Sequence, residues 1–387
     1  MKKFSLLLCL TMLLFASCIK DEAPNAEADI VKCSIEGVNL IRPAIIENER
    51  VILLVDKNTN ISNLAPTFEL TPGATIEPAS GTALNFIIPQ TYTVTSEDKK
   101  WTKTYTIIVT YDQGAITNYQ FEGLEIKKQG KYHYHVIQEI DQQGAVTMSW
   151  ASGNSGYVTA AGLDELIKYD PTLFPTYSFG EGRNGKCAVM VTRKPKSSFV
   201  ANFAPIAAGN LFTGTFKIES ISKPAKGTHF GEGNIFRYYP VSLEGYYKYK
   251  AGPEVLIKNP QPGKDYTGYT DTWDIYGVLY DATKTPTGKD GKPLGYLDGY
   301  NILNDPSIVM VARLPREKRV EADEWTYFFV NFIPFEGGTP LDKEKLKNGV
   351  YNLAIVMSSS EEGAFFNGAE NSTLYVDDVE LKYLEEF

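Results

Sequence analysis

Glu181, Glu232, Glu244, Asp271 and Asp274 are available for acid–base work in the second half of the chain. Cleaving a glycosidic bond takes two carboxylates about 5.5 Å apart, or about 6.5–9.5 Å apart when the reaction inverts. No spacing among the five singles out such a pair, so no catalytic residue is assigned. His133, His135 and His229 are the only histidines. His133 and His135 share one face of the run Tyr132-His133-Tyr134-His135, where a polar strand face is the simpler reading than a chelated metal. Cys187 lies in the apolar run Cys187-Ala188-Val189-Met190-Val191 and reads as a core thiol. No Gly-x-Ser-x-Gly elbow and no phosphate-binding glycine loop lies where a strand would pass into a helix. Binding chemistry has more material. Sugar rings offer C–H faces to Tyr and Trp, and their hydroxyls need Asn, Asp, Arg or Lys in a concave site. Trp150, Arg237, Tyr246, Lys248, Asp274 and Tyr276 supply both, with Asn154 placed to cap the Trp150 loop. These seven are the carbohydrate-binding candidates, although aromatic residues of this kind also build sandwich cores.

The elements that must position these residues read as strands throughout. Tyr (24) and Phe (20) are abundant among Gly/Pro/Asn/Asp turn clusters, a pattern that indicates an all-β chain. In Thr104-Tyr105-Thr106-Ile107-Ile108-Val109, Tyr105, Ile107 and Val109 share one face, a period-two strand signal. About seven short strands over residues 30–112 fit an immunoglobulin-like β-sandwich. Residues 116–387 carry a further series of strand-like runs, from Ala188–Thr192 through Asp274–Tyr280 to Ser372–Leu381. Helical pattern is confined to a turn or two near Leu163–Tyr169 and Leu341–Leu346. Without βα alternation, two packed antiparallel sheets in a jelly roll are the natural solution. Ala251–Tyr269 and Asp281–Asn304 are rich in Gly, Pro, Lys and Asp and read as long surface loops, which on such scaffolds often carry binding residues.

The two ends of the larger unit hold the most specific local signal, Asn118-Tyr119-Gln120-Phe121-Glu122-Gly123 and Leu374-Tyr375-Val376-Asp377-Asp378-Val379. Strand parity puts Asp377 on the face of Tyr375, Val379 and Leu381, and Glu122 on that of Leu124 and Ile126. Carboxylates pointing the way apolar neighbours point must be paired, hydrogen-bonded or bound to a metal. Two acids meeting where first and last strands lie side by side would suit a hard cation such as calcium. These ends resemble calcium-containing jelly-roll carbohydrate-binding modules. The resemblance implies a structural calcium on Glu122 and Asp377, with Asp378 as a weaker third ligand.

A second resemblance spans most of residues 116–387. Trp150–Gly156, Ala207–Gly214, Gly245–Lys250 and Asp274–Tyr280 are similar to the putative carbohydrate metabolism domain of Bacteroidetes surface lipoproteins. That family implies a galactose-binding-like jelly roll behind an Ig-like module. The N-terminus agrees with that setting. Lys2-Lys3, the apolar run Phe4–Phe15 and Ala16-Ser17 before Cys18 have the layout of a secretory signal peptide, with an apolar core too short to span a bilayer. Small residues directly before a cysteine resemble a bacterial lipobox. The resemblance implies cleavage after residue 17 and an acyl anchor, palmitate included, on Cys18. Ile19-Lys20-Asp21-Glu22 resembles a surface-export signal, and residues 18–29 read as a flexible tether.

Charge and cysteine count narrow the partners. A net charge of −9 opposes nucleic acid and electrostatic membrane binding. Cys33 and Cys187, the two cysteines left after Cys9 and Cys18, make neither a disulfide framework nor a zinc cluster. The leading expectation is an outer-membrane, lipid-anchored surface protein that captures polysaccharide or oligosaccharide beside an outer-membrane glycan importer and surface glycosidases. A glycoside hydrolase of unusual type and a structural or adhesive, pilus-like surface protein are the alternatives.

Overall fold

The computed structural model describes residues 24–384 except 39, 41–43, 47–48, 56–58, 112–115, 161–164, 203 and 221–222. Cys18 and the leader therefore lie outside the described residues. The chain divides into two compact units, Met1–Gln113 and Gly114–Phe387, and its described elements are mostly strands, as the aromatic and β-branched runs predict.

In the first unit, β1 (Ile30–Ile35) pairs with β4 (Pro66–Leu70). A five-stranded sheet runs in the order β2 (Ile45–Ile46), β3 (Arg50–Val55), β7 (Thr102–Tyr111), β6 (Gln90–Thr95) and β5 (Thr75–Glu77). Alternation decides what enters the core: Val51, Leu53 and Val55 of β3 and Tyr105, Ile107 and Val109 of β7 are buried, as period two predicts. Phe68 of β4 packs against Tyr92 of β6 with ring centroids 4.9 Å apart, joining the two sheets into a sandwich. β3 and β7 pair in parallel, Arg50 opposite Thr106 through Val55 opposite Tyr111.

The second unit is a larger sandwich. One sheet runs β12 (Thr176–Phe179), β13 (Cys187–Val191), β25 (Thr373–Leu384), β17 (Tyr239–Lys250), β21 (Ala322–Asn331), with β8 (Asn118–Tyr119) also on β25. The other runs β14 (Asn210–Phe212), β23 (Tyr351–Ser358), β19 (Asp274–Asp281), β20 (Ile308–Arg313), β22 (Ile333–Pro334). Leu243, Tyr247 and Tyr249 of β17 meet Ile275 and Leu279 of β19 and Leu353, Ile355 and Met357 of β23 between the sheets. Trp273, fully buried, lies on Tyr247 at 4.3 Å between centroids. A three-stranded sheet of β9 (Gly123–Gln129), β10 (Tyr132–Ile140) and β11 (Val146–Ser149) and two short strand pairs flank the sandwich. Short helices at Glu165–Tyr169 and Lys343–Lys347 match the two expected turns, and further short helices stand at Asn154–Ala160 and Ser198–Ala201.

Every residue of β19 is buried, so this strand is covered on both faces. Its second face, Tyr276, Val278 and Tyr280, packs under Leu297 and Ile302 of the long loop 282–305, together with Phe212, Phe230 and Val356. The loop is thus a fixed cover over the outside of a sheet, and the candidate site forms beside it.

Candidate functional site: a tyrosine-lined cleft

The cover loop is held from beneath by β-sheet side chains. Tyr280 donates to Gly295 O (3.3 Å), and Asn352 Nδ2 donates to the same carbonyl (2.9 Å). Phe230 N donates to Leu297 O (2.8 Å). Farther along, Asp298 accepts from Tyr300 N (2.8 Å), while Asn301 Oδ1 accepts from Asp298 N (2.6 Å). These turn bonds set the direction of the Tyr300 side chain. The facing loop is pinned by Asn367, which is fully buried. Its Oδ1 accepts from Lys258 N (2.7 Å) and Asn259 N (2.9 Å), and its Nδ2 donates to Asn259 O (2.8 Å) and to Glu362 (2.7 Å).

Between these loops lies a cavity of about 810 Å³ bordered by Tyr296, Tyr300, Phe365, Asn259, Asp298 and Asn301, with Lys223, Lys226 and Lys258 at its edge. A narrower, mostly apolar cavity of about 270 Å³ adjoins it through Tyr300 and Phe365 and reaches Phe216, Ile302, Tyr276 and Asp274. Tyr296 lies flat on the buried His229, centroids 3.7 Å apart at 10°. His229 is itself held by Glu219 at Nε2 (2.9 Å) and Glu232 at Nδ1 (3.2 Å). That histidine contact, with Thr215 and Lys217, holds the Glu232 carboxyl down at about 2. A carboxylate–imidazole–phenol stack of this kind fixes an aromatic surface before any ligand arrives. Burial raises the Asp298 carboxyl, which the Tyr300 amide and Lys226 oppose. The cleft therefore offers rigid aromatic faces beside amide, carboxyl and ammonium groups, which is what a sugar ring needs.

The residues singled out by sequence do not converge there. Asp274 and Tyr276 border the inner cavity. Asp274 is nonetheless fully engaged: Arg313 Nη2 donates to it at 2.6 Å, and the Arg319 guanidinium lies 3.3 Å away. Tyr276 is core. Trp150 is also core: it packs on Tyr119 and Phe121, and its indole N–H goes to Glu139 (2.8 Å), so no ring face is free for a ligand. Asn154 is buried and clamps Thr176 through both its carbonyl and its amide, more than capping a loop. Tyr246 and Lys248 alternate with Tyr247 and Tyr249 and so point out of the opposite sheet, where Arg183 and Tyr327 pack on Tyr246 and Lys248 sits over Trp325. Arg237 lies against the C-terminal end of the Lys343–Lys347 helix, with Nη1 3.5 Å from Lys347 O.

The acids available for hydrolysis are equally dispersed. Glu181 is exposed, Glu244 faces Tyr327 and Lys382, and Asp271 is locked by Ser360, Ser372 and two amides. The histidines of β10 separate too: His133 meets Lys168 O, whereas His135 accepts from Ser178 N. Cys187 is buried with its thiol pushed up to about 12, the inert core thiol expected.

The calcium expectation rests on Glu122 and Asp377, and the fold does bring both to one loop. Asp377 is fully buried; its Oδ2 accepts from Arg183 N (2.7 Å) and Asn184 N (3.1 Å), and its Oδ1 from Asp378 N (2.8 Å). Glu122 accepts from Lys186 N (2.9 Å). Asp378 is paired with Arg183 and Asn184. Amide donors and a guanidinium thus surround the three carboxylates, and no group of three or more His, Cys, Asp or Glu among the described residues could hold a metal ion. In this arrangement the acids are satisfied by hydrogen bonds without a cation. A local change of backbone sets the facing of Asp377 apart from that of Val379 and Leu381. Asp378 takes φ +49° and β25 gains one residue relative to β17, a bulge that leaves Asp377 facing away from the core while Val379 and Leu381 face into it. Leu124 and Ile126, taken as apolar neighbours of Glu122, are exposed.

The cleft residues Tyr296, Tyr300, Lys223, Lys226 and Phe365 were not singled out individually. The available signal was the composition of the two long loops, which supply Lys258, Asn259, Tyr296, Asp298, Tyr300 and Asn301.

Known proteins agree with this architecture. A family profile described as "Putative carbohydrate metabolism domain" matches residues 120–382, and one described as "SGBP, N-terminal" matches residues 30–109. No curated protein matches. A solved structure described as a putative glycoside hydrolase from Bacteroides thetaiotaomicron VPI-5482 is 43% identical, with a TM-score of 0.62, over 95% of this chain and 100% of that one. Another, described as a putative glycoside hydrolase from Bacteroides vulgatus ATCC 8482, is 35% identical with a TM-score of 0.58, over 70% of this chain and 100% of that one. With most of its length matched by one family and the remainder by a surface glycan-binding N-terminal domain, the chain belongs to the putative carbohydrate metabolism domain family.

Proposed function

We propose that this is a cell-surface glycan-binding protein that captures polysaccharide for a polysaccharide-utilisation system, with its ligand in the cleft of Tyr296, Tyr300 and Phe365. The observation that carries the reading is the preorganised Tyr296 ring, stacked on His229 at the edge of a cleft whose other groups are amides, a carboxyl and ammonium groups. Aromatic faces held this way bind sugar C–H faces with little ordering cost. In this proposal an acyl chain on Cys18 tethers the protein to the outer membrane, facing outward. The first unit is a spacer, and bound glycan is passed to an importer and surface glycosidases.

Binding is favoured over cleavage because the residues bordering the larger cavity include one carboxylate, Asp298, where hydrolysis uses two. Of the acids at the inner cavity, Asp274 is paired with Arg313, and Lys264, Arg316 and Arg319 oppose burial and hold the Glu361 carboxyl low, unlike a general acid. Affinity gels and glycan arrays with purified protein across plant, mucin and microbial glycans test the proposal. Retention by at least one glycan without release of product is expected, and retention by none overturns the reading.

A further inference from the structure

We infer that the glycan taken by this cleft is anionic, carrying carboxylate or sulfate groups that meet Lys223, Lys226 and Lys258. The inference rests on the cleft being the glycan site. The chain is acidic overall, 47 Asp and Glu against 38 Lys and Arg. Some of its surface lysines are matched to acids: Lys194 to Glu370, Lys217 to Glu232, Lys250 to Glu321, Lys345 to Asp281 and Lys382 to Glu380. The three cleft lysines are among those without such a match, and they are the ones that border the cavity together. They are exposed, and none has an ion-pair partner among the described residues. Lys258 Nζ donates only to a carbonyl, Asn202 O, at 3.0 Å.

They also arrive from two separate segments. Lys223 and Lys226 flank and occupy the 3-10 turn Pro224–Gly227, and Lys258 stands on the loop pinned by Asn367. Two elements thus bring like charges to one opening, and the one acid bordering it, Asp298, interacts electrostatically with Lys226. Three cations converging on a single acid leave positive charge in excess, and an anionic ligand relieves their mutual repulsion. Field lines from such a rim also concentrate in a cleft with low-dielectric walls, which draws in polyanions. Tyr296 and Tyr300 then hold the ring while the lysines read its charge.

Affinity electrophoresis of the full mature protein separates the outcomes. The carboxylate arm compares polygalacturonate with its fully methyl-esterified form, and the sulfate arm compares dextran sulfate with dextran. A panel of other neutral glycans runs beside them. Retardation is expected in one or both acidic gels and not in the matched neutral gel, and the arm that retards names the anion. Each of Lys223→Ala, Lys226→Ala and Lys258→Ala should weaken binding by about tenfold, as loss of a charge-assisted contact does. Binding should also fall as salt rises. All three side chains are exposed, so melting temperatures should match the parent and keep folding out of the comparison. Binding of neutral glycans alone, or acidic binding that survives the triple lysine variant, overturns the inference and leaves the glycan-binding reading standing. Retention by no glycan overturns both.

Discussion

Replacing Asp274 by Ala tests whether the acid beneath the inner cavity is a structural counter-ion or a free reactive group. Its carboxylate accepts from Arg313 Nε at 2.9 Å and Nη2 at 2.6 Å, and lies 3.3 Å from the almost fully buried Arg319, which continues to Glu361 at 2.7 Å. Removing one partner of a buried pair leaves the other charge unmatched, at a cost of roughly 3–5 kcal/mol. Arg313 keeps about a third of its side chain exposed (31%), and Arg319 retains Glu361, so the low end applies, about 3 kcal/mol. For a unit of this size each kcal/mol moves the melting temperature by about 2–4 °C, giving a drop of roughly 6–12 °C. Tryptophan fluorescence follows the right transition. Trp273, next in sequence, is fully buried, whereas Trp101 of the first unit is already 63% exposed. Asp274→Asn, which keeps an acceptor but loses the charge, should fall between parent and Ala. A melting temperature within about 2 °C of the parent for Asp274→Ala would refute the counter-ion role.

Other expectations follow from the same geometry. Burial pushes Asp271 and Asp377 up to about 6, above the roughly 3.9 of an unfolded aspartate. Between pH 4 and 6 the folded state therefore binds more protons than the unfolded, and the stability these two acids contribute is lost as pH rises through that window. Glu232, held at about 2, acts oppositely, its contribution being lost only as pH falls below about 4. The second unit should accordingly melt higher at pH 5 than at pH 7.5, with a smaller difference in Asp377→Asn; a higher melting temperature at pH 7.5 would contradict this. Because amides already satisfy Glu122 and Asp377, millimolar calcium or EDTA should shift the melting temperature by less than about 1 °C. A chelator-reversible rise of several degrees, as ligand linkage gives at about a hundredfold over Kd, would establish a cation site. If Cys18 carries the anchor, the mature protein should partition into detergent and begin at that residue by intact mass, and Cys18→Ala should move it to the aqueous phase.

The sandwich architecture was legible because strands announce themselves by period two: Tyr105, Ile107 and Val109 are buried as the alternation requires. The loops were legible as loops from their Gly, Pro, Lys and Asp content, and they proved to carry much of the cleft. Individual site residues were not legible, for physical reasons. A tyrosine in a strand has the same composition signal whether it faces the core, as Tyr276 does, or solvent, as Tyr246 does. Parity along Tyr375–Leu381 misled because one residue of left-handed backbone at Asp378 switches the face of everything after it. The Tyr296–His229 stack joins residues 67 positions apart, and no local pattern reports a contact of that range.

The most direct test of the account is isothermal titration of the intact mature protein and its Tyr296→Ala/Tyr300→Ala double variant with an oligosaccharide cut from whichever polysaccharide retards the parent in a gel. Saturable one-site binding by the parent, abolished in the variant while both melt at the same temperature, is the predicted result. Equal affinity in parent and variant would place the glycan elsewhere and contradict it.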